Sequence, residues 1–516
     1  MLMGSSADGV KQHGTHNVLT ARTQPQDAPF LRQDLDAIIV PASRPAEHLD
    51  HAVMLARAAD CWLVVLCSKH LRSDDARKFL AARSFRKAIV VDMPPGYRHE
   101  LLEFRGLLSL KEELPEACTS YVTDLSMKRN VGLVLARMLR WHRIFFLDDD
   151  IRDISYVDLQ TTVNMLGPFS AAGMRVTDFP DNSIVCHANR ITGGSQDVFV
   201  SGAALAVNCD EDIGFFPDIY NEDWLFFFDD ASKRSLANSC LKATQLCYYP
   251  FAKPQRAAWQ EFGDVIAEGL YTLLHLGRKV EEATQEYWNC FLEARRAFLK
   301  DIRRRSRQAH PDLRKEMSAS VQYALNSLRM IEPDMCTRYV QLWRQDLAEW
   351  KWRIADMPEM SVDEALHELR LAPPTPANDT RKSLLSRPTR VSSIAAGPVV
   401  IPRFDMLSSL PQYAGALDLS SASAEADEHD PAMFAAMTEE YSQAMLAARL
   451  NSLYSLWSAD EAEGRQRRAR FSTVMLRLKP NVRPRRSLPA QSSALPEQEP
   501  NTATNLPAAP EPAGVT

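Results

Sequence analysis

Residues 144–150 read Ile-Phe-Phe-Leu-Asp-Asp-Asp, four large apolar side chains followed at once by three carboxylates. An apolar run of this length is typical of a strand that is buried on both faces of a parallel sheet. Three neighbouring like charges repel one another unless a positive charge lies beside them. Hard divalent cations prefer carboxylate oxygens, so the stretch predicts a cation site at a strand end. An Asp-rich solvated turn or helix N-cap accounts for the same residues.

Upstream of this stretch, apolar runs alternate with helical spacing. The runs cover residues 36–40, 62–66 and 88–91, and helical patterns cover 46–59 and 74–83. This alternation predicts an α/β fold with a mostly parallel sheet flanked by helices. The carboxyl ends of parallel strands meet at one edge of the sheet, where open α/β sheets bind ligands. The three acids are therefore expected at a ligand-binding edge.

The whole chain has an ordinary globular composition. It has 516 residues, of which 45% are hydrophobic and 24% charged, with a formal net charge of −6. This length suggests two to four domains, and the mild charge gives no reason to expect a nucleic-acid partner. No apolar run is long enough to cross a bilayer, and no secretory signal pattern is seen at the N-terminus. Nine cysteines without a CxxC pair indicate reduced thiols in a cytoplasmic protein.

Changes in composition divide the chain into segments. The predicted segments are a disordered N-terminus at 1–30, an α/β domain at 31–275, a helical extension at 276–371, a linker at 372–430, an amphipathic helix at 431–465 and a disordered tail, first basic and then rich in Pro, Ala and Ser, at 466–516. The helical extension is a candidate contact surface between two copies of the chain.

Two further motifs can carry chemistry. Lys128-Arg129-Asn130 begins the helix that leads into the acidic strand, so it can grip a phosphate or simply be the basic start of a surface helix. Gly132 in the same helix suggests a close approach by a ligand or by another part of the backbone. Asn221-Glu222-Asp223-Trp224 can supply a general base, or an N-cap with acids in the first helical turn.

Taken together, these motifs resemble a known family. Lys128-Arg129-Asn130-x-Gly132, Phe146 to Asp150, Ser201-Gly202-Ala203 and Asn221 to Trp224 occur in the order of the motifs in GT-A-fold nucleotide-sugar glycosyltransferases of the family 2 type. In that family the acidic strand end is the DxD motif and the downstream acids are the ED motif. The resemblance covers about residues 34–275 and does not extend to the C-terminal part of the chain.

The resemblance implies a metal-dependent transferase that moves a sugar from a nucleotide-diphosphate sugar to an unknown hydroxyl acceptor, with inversion. It implies that Asp150, with Asp148, holds Mn²⁺ or Mg²⁺, and that Asp223 is the catalytic base with Glu222 beside it. The donor-binding positions that it implies are Pro41, Ala42, Arg44, Ser68, Asp92, Arg129, Asn130, Asp148, Asp149, Ser201 and Gly202. A late histidine ligand is common in such enzymes, and His187 and His275 are the candidates here, although His275 lies in an apolar helical stretch.

Other functions share parts of this pattern. A phosphatase of the haloacid-dehalogenase type also places Asp-x-Asp at a strand end, and Asp229-Asp230 resembles its late acid pair. Its motif normally opens the domain, whereas three strand-like runs precede Asp148. A sugar-1-phosphate nucleotidyltransferase needs a Gly-rich basic loop after the first strand, and residues 41–45 contain no glycine. A binding protein that keeps the fold without catalysis is the remaining alternative.

Overall fold

The computed structural model describes residues 10–22, 31–119, 123–177, 179, 183–210, 212–308 and 311–371. The linker, amphipathic helix and tail predicted from residue 372 onward lie outside these ranges. The strands are β1 (Ala21–Arg22), β2 (Ala37–Val40), β3 (Trp62–Cys67), β4 (Ala88–Asp92), β5 (Arg143–Leu147), β6 (Ile151–Arg152), β7 (Ala171–Thr177), β8 (Ala204–Asn208) and β9 (Leu236–Gln245).

Helices lie between these strands and make up the C-terminal part of the described chain. They are α1 (Asp50–Ala59), α2 (Ser73–Ala82), α3 (Arg105–Glu113), α4 (Glu116–Thr119), α5 (Leu125–Met138), α6 (Tyr156–Asn164), α7 (Ile184–Ile191), α8 (Glu222–Phe226), α9 (Phe228–Lys233), α10 (Arg256–His275), α11 (Gln285–Ser306), α12 (Pro311–Leu328), α13 (Pro333–Ala355) and α14 (Val362–Glu368). Short 3₁₀ helices occur at Asn17–Leu19, Ala46–Leu49 and Val280–Glu282.

The strands form one sheet in the order β1-β9-β7-β8-β5-β2-β3-β4, and β6 pairs with β9. Strands β2, β3, β4 and β5 pair in parallel, as do β7, β9 and β1. Strand β8 is antiparallel to both of its neighbours. The sheet is therefore mixed but mostly parallel, with helices around it and a helical C-terminal region. This confirms the predicted α/β class.

The order of the strands places a topological switch point at β2. From β2 the chain continues to β3 and β4 on one side, and then returns to place β5 on the other side of β2. The loops after β2 and β5 consequently leave the sheet next to each other, and a crevice at such a point is the usual ligand site of an open α/β sheet. Ile39 pairs with Phe146 in this register, so Pro41 and Asp148 begin the two adjacent loops.

Helix α5 packs closely on the sheet. A Cβ atom added at Gly132 would lie 2.9 Å from Cδ1 of Ile39 and 3.3 Å from Cε1 of Phe146. The close approach predicted at Gly132 is therefore made by the neighbouring strands β2 and β5. Because α5 leads directly into β5, this contact fixes the height of the first turn of α5 above the sheet edge.

The helical region from α10 onward is not a separate layer. One apolar core contains residues of the sheet, such as Leu66, together with Trp288 of α11 and Trp343 of α13. Helix α10 does end at His275, the predicted domain boundary, but the following helices share the core of the α/β part. None of the helices within the described ranges is both long enough and apolar enough to cross a membrane.

The N-terminal segment differs from the prediction of disorder over residues 1–30. Within its described part, residues 10–22, β1 pairs in parallel with β9, and His16 and Leu19 are buried. His16 contacts Oε2 of Glu268 at 2.9 Å and Nε2 of His275 at 3.0 Å. A two-residue strand carries no periodic signal, so its pairing with a distant strand could not be predicted from sequence.

The histidine and cysteine predictions have mixed outcomes. His275 contacts His16 and stacks on His13, so it belongs to this N-terminal contact and not to the acidic strand end. His187 is fully buried and stacks on Phe179. The nine cysteines, all within the described ranges, form no disulfide, and six of them are buried.

Candidate functional site

Arg129 joins two of the predicted motifs. Its side chain is only 3% exposed, and its Nη2 lies 3.0 Å from each carboxylate oxygen of Asp148. Its Nη1 donates to Oε1 of Glu222 at 2.7 Å. The start of α5, the end of β5 and the start of α8 therefore meet at one guanidinium. We call Arg129, Asp148, Gly202, Glu222 and Asp223 the Arg129 centre.

Gly202 completes this centre from the segment before β8. Its backbone N–H donates to Oδ2 of Asp223 at 2.8 Å, and the N–H of Trp224 donates to Oδ1 of Asp223 at 2.9 Å. A Cβ atom at Gly202 would lie 2.7 Å from Cζ of Arg129. Only glycine leaves room for the buried guanidinium here, which is the physical reason for the small residue in the Ser201-Gly202-Ala203 motif.

The residue before Glu222 has a left-handed backbone. Asn221 has φ 63°, a conformation that asparagine tolerates better than most residues, and its Nδ2 donates to Oδ1 of Asp264 at 2.9 Å. Asp264 lies on α10 and accepts from Nη2 of Arg295 at 2.7 Å. The position of α8 is thus set by the helical region as well as by the sheet.

Arg44 makes a second set of contacts at the switch point. Its guanidinium donates to Asp149 through Nη1 and to Oδ2 of Asp150 through Nη2 at 2.8 Å. The backbone N–H groups of Ser43 and Arg44 donate to Oδ2 of Asp149 at 2.6 and 2.8 Å. We call Arg44, Asp149 and Asp150 the Arg44 clasp. It ties the loop after β2 to the loop after β5.

Gln245 is a member of this region that sequence reasoning missed. Its Nε2 lies 3.3 Å from Oδ2 of Asp150, and the N–H of Leu246 donates to the carbonyl oxygen of Asp150 at 3.0 Å. Both residues come from the end of β9, which reaches the acidic loop through its antiparallel pairing with β6. An isolated glutamine at a strand end carries no motif, so no sequence signal points to it.

Several predicted donor-binding residues serve the protein itself. Lys128 is buried and its Nζ donates to the carbonyl of Ala42 and to Oγ of Ser68 at 2.8 and 2.6 Å. Asn130 exchanges two hydrogen bonds with the backbone of Phe216, both 2.8 Å, and is also buried. These bonds give Asn130 a structural role, and its predicted donor contact stays a prediction. The predicted phosphate grip of the α5 start is likewise engaged with protein partners.

The other predicted donor-binding positions differ in their burial and in their distance from the switch point. Pro41 and Ala42 are buried at the end of β2, and Ser201 is partly exposed beside Gly202. Asp92 ends the edge strand β4 and accepts from the N–H and Oγ of Ser73, both at 2.8 Å. Asp92 therefore holds the start of α2, on a strand separated from β5 by β2 and β3.

Five carboxylates and two arginines lie together at this edge of the sheet. Burial and the neighbouring charges shift the pKa values of these carboxyl groups. Burial raises the pKa of Glu222 to about 8. The positive charge of Arg129 lowers this pKa, and the negative charge of Asp223 raises it. Burial also raises the pKa values of Asp223 and Asp148, although Arg129 opposes this in both. The pKa of Asp149 is lowered because Arg44 and two backbone N–H groups outweigh the effect of burial. The carboxyl groups of the Arg129 centre therefore hold a proton more readily than solvated ones, whereas Asp149 in the Arg44 clasp stays ionised more readily.

The predicted metal site does not have the geometry of a ligand set. Within the described ranges, no three His, Cys, Asp or Glu side chains come together in a way that would hold a metal ion. Asp148 faces Arg129, whereas Asp149 and Asp150 face Arg44, so the three carboxylates turn toward two different guanidinium groups. As arranged, Asp148 and Asp150 lie against different guanidinium groups and do not form a ready-made pair of ligands, and their metal role stays a prediction.

The acid pair that a phosphatase would use is engaged elsewhere. Asp229 of α9 accepts from Nη1 of Arg344 at 2.6 Å and lies 3.6 Å from Nζ of Lys351, both on α13. Asp230 accepts from Oγ of Ser235 at 3.0 Å. These contacts give Asp229 partners on α13 and Asp230 a partner just before β9, which weakens their resemblance to the late acid pair of a phosphatase.

Comparisons with known proteins add little to this geometry. No family model matches the chain. No curated protein matches it either. Among solved structures, the chain is similar to the mannosyltransferase PcManGT from Pyrobaculum calidifontis in complex with GDP-Man and Mn²⁺, with 12% identity and a TM-score of 0.31 over 65% of this chain and 88% of that chain. A likeness of this size establishes neither a shared activity nor shared ligands.

Proposed function

We propose that this chain is a glycosyltransferase that transfers a sugar from a nucleotide-diphosphate sugar to a hydroxyl acceptor. The observation that carries the proposal is the convergence of four motifs, far apart in sequence, on the buried guanidinium of Arg129. This convergence lies at the carboxyl edge of the sheet beside the switch point, where open α/β sheets bind nucleotides. Asp148, Asp223 and Arg44 keep partly exposed side chains there, so a ligand can reach them.

Asp223 is the proposed general base. Its carboxylate removes the proton of the acceptor hydroxyl while that oxygen forms a bond to the anomeric carbon of the donor sugar. The bond between the anomeric carbon and the phosphate oxygen breaks, and the nucleoside diphosphate leaves with the electron pair. Burial raises the pKa of Asp223, which makes it a stronger base than a solvated aspartate. Attack from the face opposite the leaving group gives inversion.

Glu222 is proposed as a positioning residue. Its side chain is 6% exposed and lies against Arg129, so it holds the guanidinium and does not reach a bound acceptor. Arg129 in turn fixes the carboxylate of Asp148 at the donor side. The two acids of the ED motif would therefore have different tasks, with Asp223 facing the substrate and Glu222 facing the protein.

A donor screen tests the proposed function. The full chain is incubated with UDP-glucose, GDP-mannose and dTDP-glucose, with Mn²⁺ in one series and EDTA in the other. Thermal stabilisation by at least one donor, with slow release of its nucleoside diphosphate into water, is expected. Turnover of para-nitrophenyl phosphate without any response to the donors would support the phosphatase instead. Absence of any response would leave a non-catalytic binding protein.

A further inference from the structure

The Arg44 clasp places a positive charge among the acids of the strand end. Asp149 and Asp150 have side chains only 3% and 8% exposed, whereas the side chain of Arg44 is 40% exposed. Nη1 and Nη2 of Arg44 contact the two carboxylates, and two-fifths of its side chain remain exposed at the switch point. A fixed arginine with an open side is a different kind of site from a set of free carboxylates.

The contacts around the clasp also fix which atoms remain for a ligand. Asp149 already accepts from two backbone N–H groups and from Arg44. Asp150 accepts from Arg44 and from Gln245. Both oxygens of Asp148 are held by Arg129. A cation that bound all three acids would have to displace both arginines, and Arg129 is buried under Gly202.

The chemistry of the guanidinium suits a diphosphate. Arginine carries a planar fork of five N–H donors, which binds phosphate oxygens in a bidentate manner, and it stays charged at any physiological pH. Nearby negative charges of Asp150 and Asp149 raise the pKa of Arg44 further, against the effect of burial. Arg152 adds a second positive charge close by, since its Nη1 donates to the carbonyl of Asp149 at 3.1 Å.

We infer that Arg44 is the cation that binds the donor's diphosphate, and that transfer by this chain does not need a divalent metal ion. The inference rests on the proposed function and deepens it. The negative charge that develops on the leaving diphosphate is then balanced by a side chain that the protein has already placed and oriented through Asp149 and Asp150. The two acids act as positioning residues for Arg44, and the donor's diphosphate meets the exposed part of the Arg44 side chain at the crevice between β2 and β5.

Turnover of the best donor from the screen, measured in EDTA and in Mn²⁺, tests this. Wild-type turnover in EDTA should match that in Mn²⁺, because Arg44 supplies the charge. Arg44→Gln should lose turnover in EDTA by roughly a hundredfold, the cost of removing one group that stabilises the transition-state charge. Mn²⁺ should restore part of the turnover of this variant, because Asp149 and Asp150 are then released as metal ligands.

Two controls separate the loss of the Arg44 charge from unspecific effects of substitution. Arg83→Gln removes an arginine of similar exposure that pairs with Asp50 away from the sheet edge, and it should leave turnover unchanged in both buffers. Melting temperatures of all variants separate loss of charge from loss of fold. Wild-type turnover that falls by more than about tenfold in EDTA and recovers with Mn²⁺ would overturn the inference and leave the proposed function intact. Absence of turnover with every donor in both buffers would overturn the proposed function itself.

Discussion

The Arg129 centre and the contacts of Arg295 use the same chemistry in two parts of the molecule. Arg295 donates to both oxygens of Glu261 at 2.9 Å and to Asp264 at 2.7 Å, and these three side chains are 0–3% exposed. Arg129 is equally buried between Asp148 and Glu222, but Asp148 is 21% exposed. Arg295 pairs with buried acids among the helices, whereas Arg129 pairs with acids at the solvent-accessible edge of the sheet.

The exposure of the carboxylates distinguishes the structural ion cluster around Arg295 from the candidate site around Arg129. Among the described residues, Nε of Arg129 has no hydrogen-bond partner. Each arginine nevertheless forms ion pairs with two carboxylates, so pairing alone does not separate the two clusters. The exposure of the carboxylates separates them, because, of these two clusters, only the Arg129 centre has carboxylates that a ligand can reach. We therefore expect the two centres to respond in opposite ways to substitution, one in activity and the other in stability.

The largest effect is expected for Asp223→Asn. The amide cannot take the proton of the acceptor, so the transfer rate should fall by about 10²- to 10⁴-fold. Donor binding should change little, whereas the melting temperature should fall modestly, because the asparagine oxygen can accept from only one of the N–H groups of Gly202 and Trp224. The matched control is Asp60→Asn, an exposed aspartate with a left-handed backbone. Rates are measured by release of nucleoside diphosphate with an acceptor, and retained transfer would eliminate Asp223 as the base.

Arg295→Met should mainly affect stability. It leaves Glu261 and Asp264 buried without their cation, which costs about 3–5 kcal/mol of unfolding free energy. Urea unfolding followed by fluorescence measures this loss. Arg304→Met is the control on the same helix, since Arg304 is 77% exposed and should change stability by less than about 1 kcal/mol. Equal losses in the two variants would contradict the assignment of Arg295 as a structural centre.

Gly202→Ala should displace side chains of the Arg129 centre. The added methyl group would lie 2.7 Å from Cζ of Arg129, so the guanidinium or the backbone has to move. Overpacking of this kind costs about 1–3 kcal/mol, and transfer should fall because the Asp223 contact shifts with it. Gly167→Ala serves as control, because a Cβ atom there meets its nearest neighbour at 3.6 Å. The idea fails if both substitutions leave melting temperature and turnover equally unaffected.

The smallest effect is expected in the pH dependence of Glu222→Gln. In the wild type the base has to lose its proton, so transfer should rise with pH through the raised pKa of the coupled Glu222 and Asp223 pair. Glutamine removes one negative charge and leaves Arg129 free to favour ionised Asp223. The acid limb of the rate profile should therefore move to lower pH. Glu47→Gln, at an exposed position, should leave the profile in place, and a limb that moves upward in Glu222→Gln would refute this electrostatic picture.

Much of the sheet was accessible from sequence because its strands are buried on both faces. The apolar runs predicted at 62–66 and 88–91 match β3 and β4 within one residue, and Ile144 to Leu147 lies within β5. Continuous apolar runs with turn residues between them leave few alternatives. Within residues 197–208, only Ala204–Asn208 pairs as a strand, and Gly202 before it contacts Asp223 and lies against Arg129.

The arrangement of the site was less accessible. Pairing of Arg44 with Asp149 depends on β2 lying beside β5, and that adjacency is decided by the order of strands, which local pattern does not encode. Three neighbouring acids call for a positive charge nearby, but the sequence does not show that Arg44 and Arg129 lie beside them in the fold. Asn130 has the same polar character whether it faces a donor or the backbone of Phe216.

The pairing of β1 with β9 has a consequence for how the chain is made. A ribosome releases residues 10–22 long before Leu236–Gln245 and His275 exist, so the first strand has to wait for its partner. During that interval the edge of β9 is still to come and His16 stays in water. Docking of the N-terminal segment consequently has to follow the synthesis of β9 and of His275.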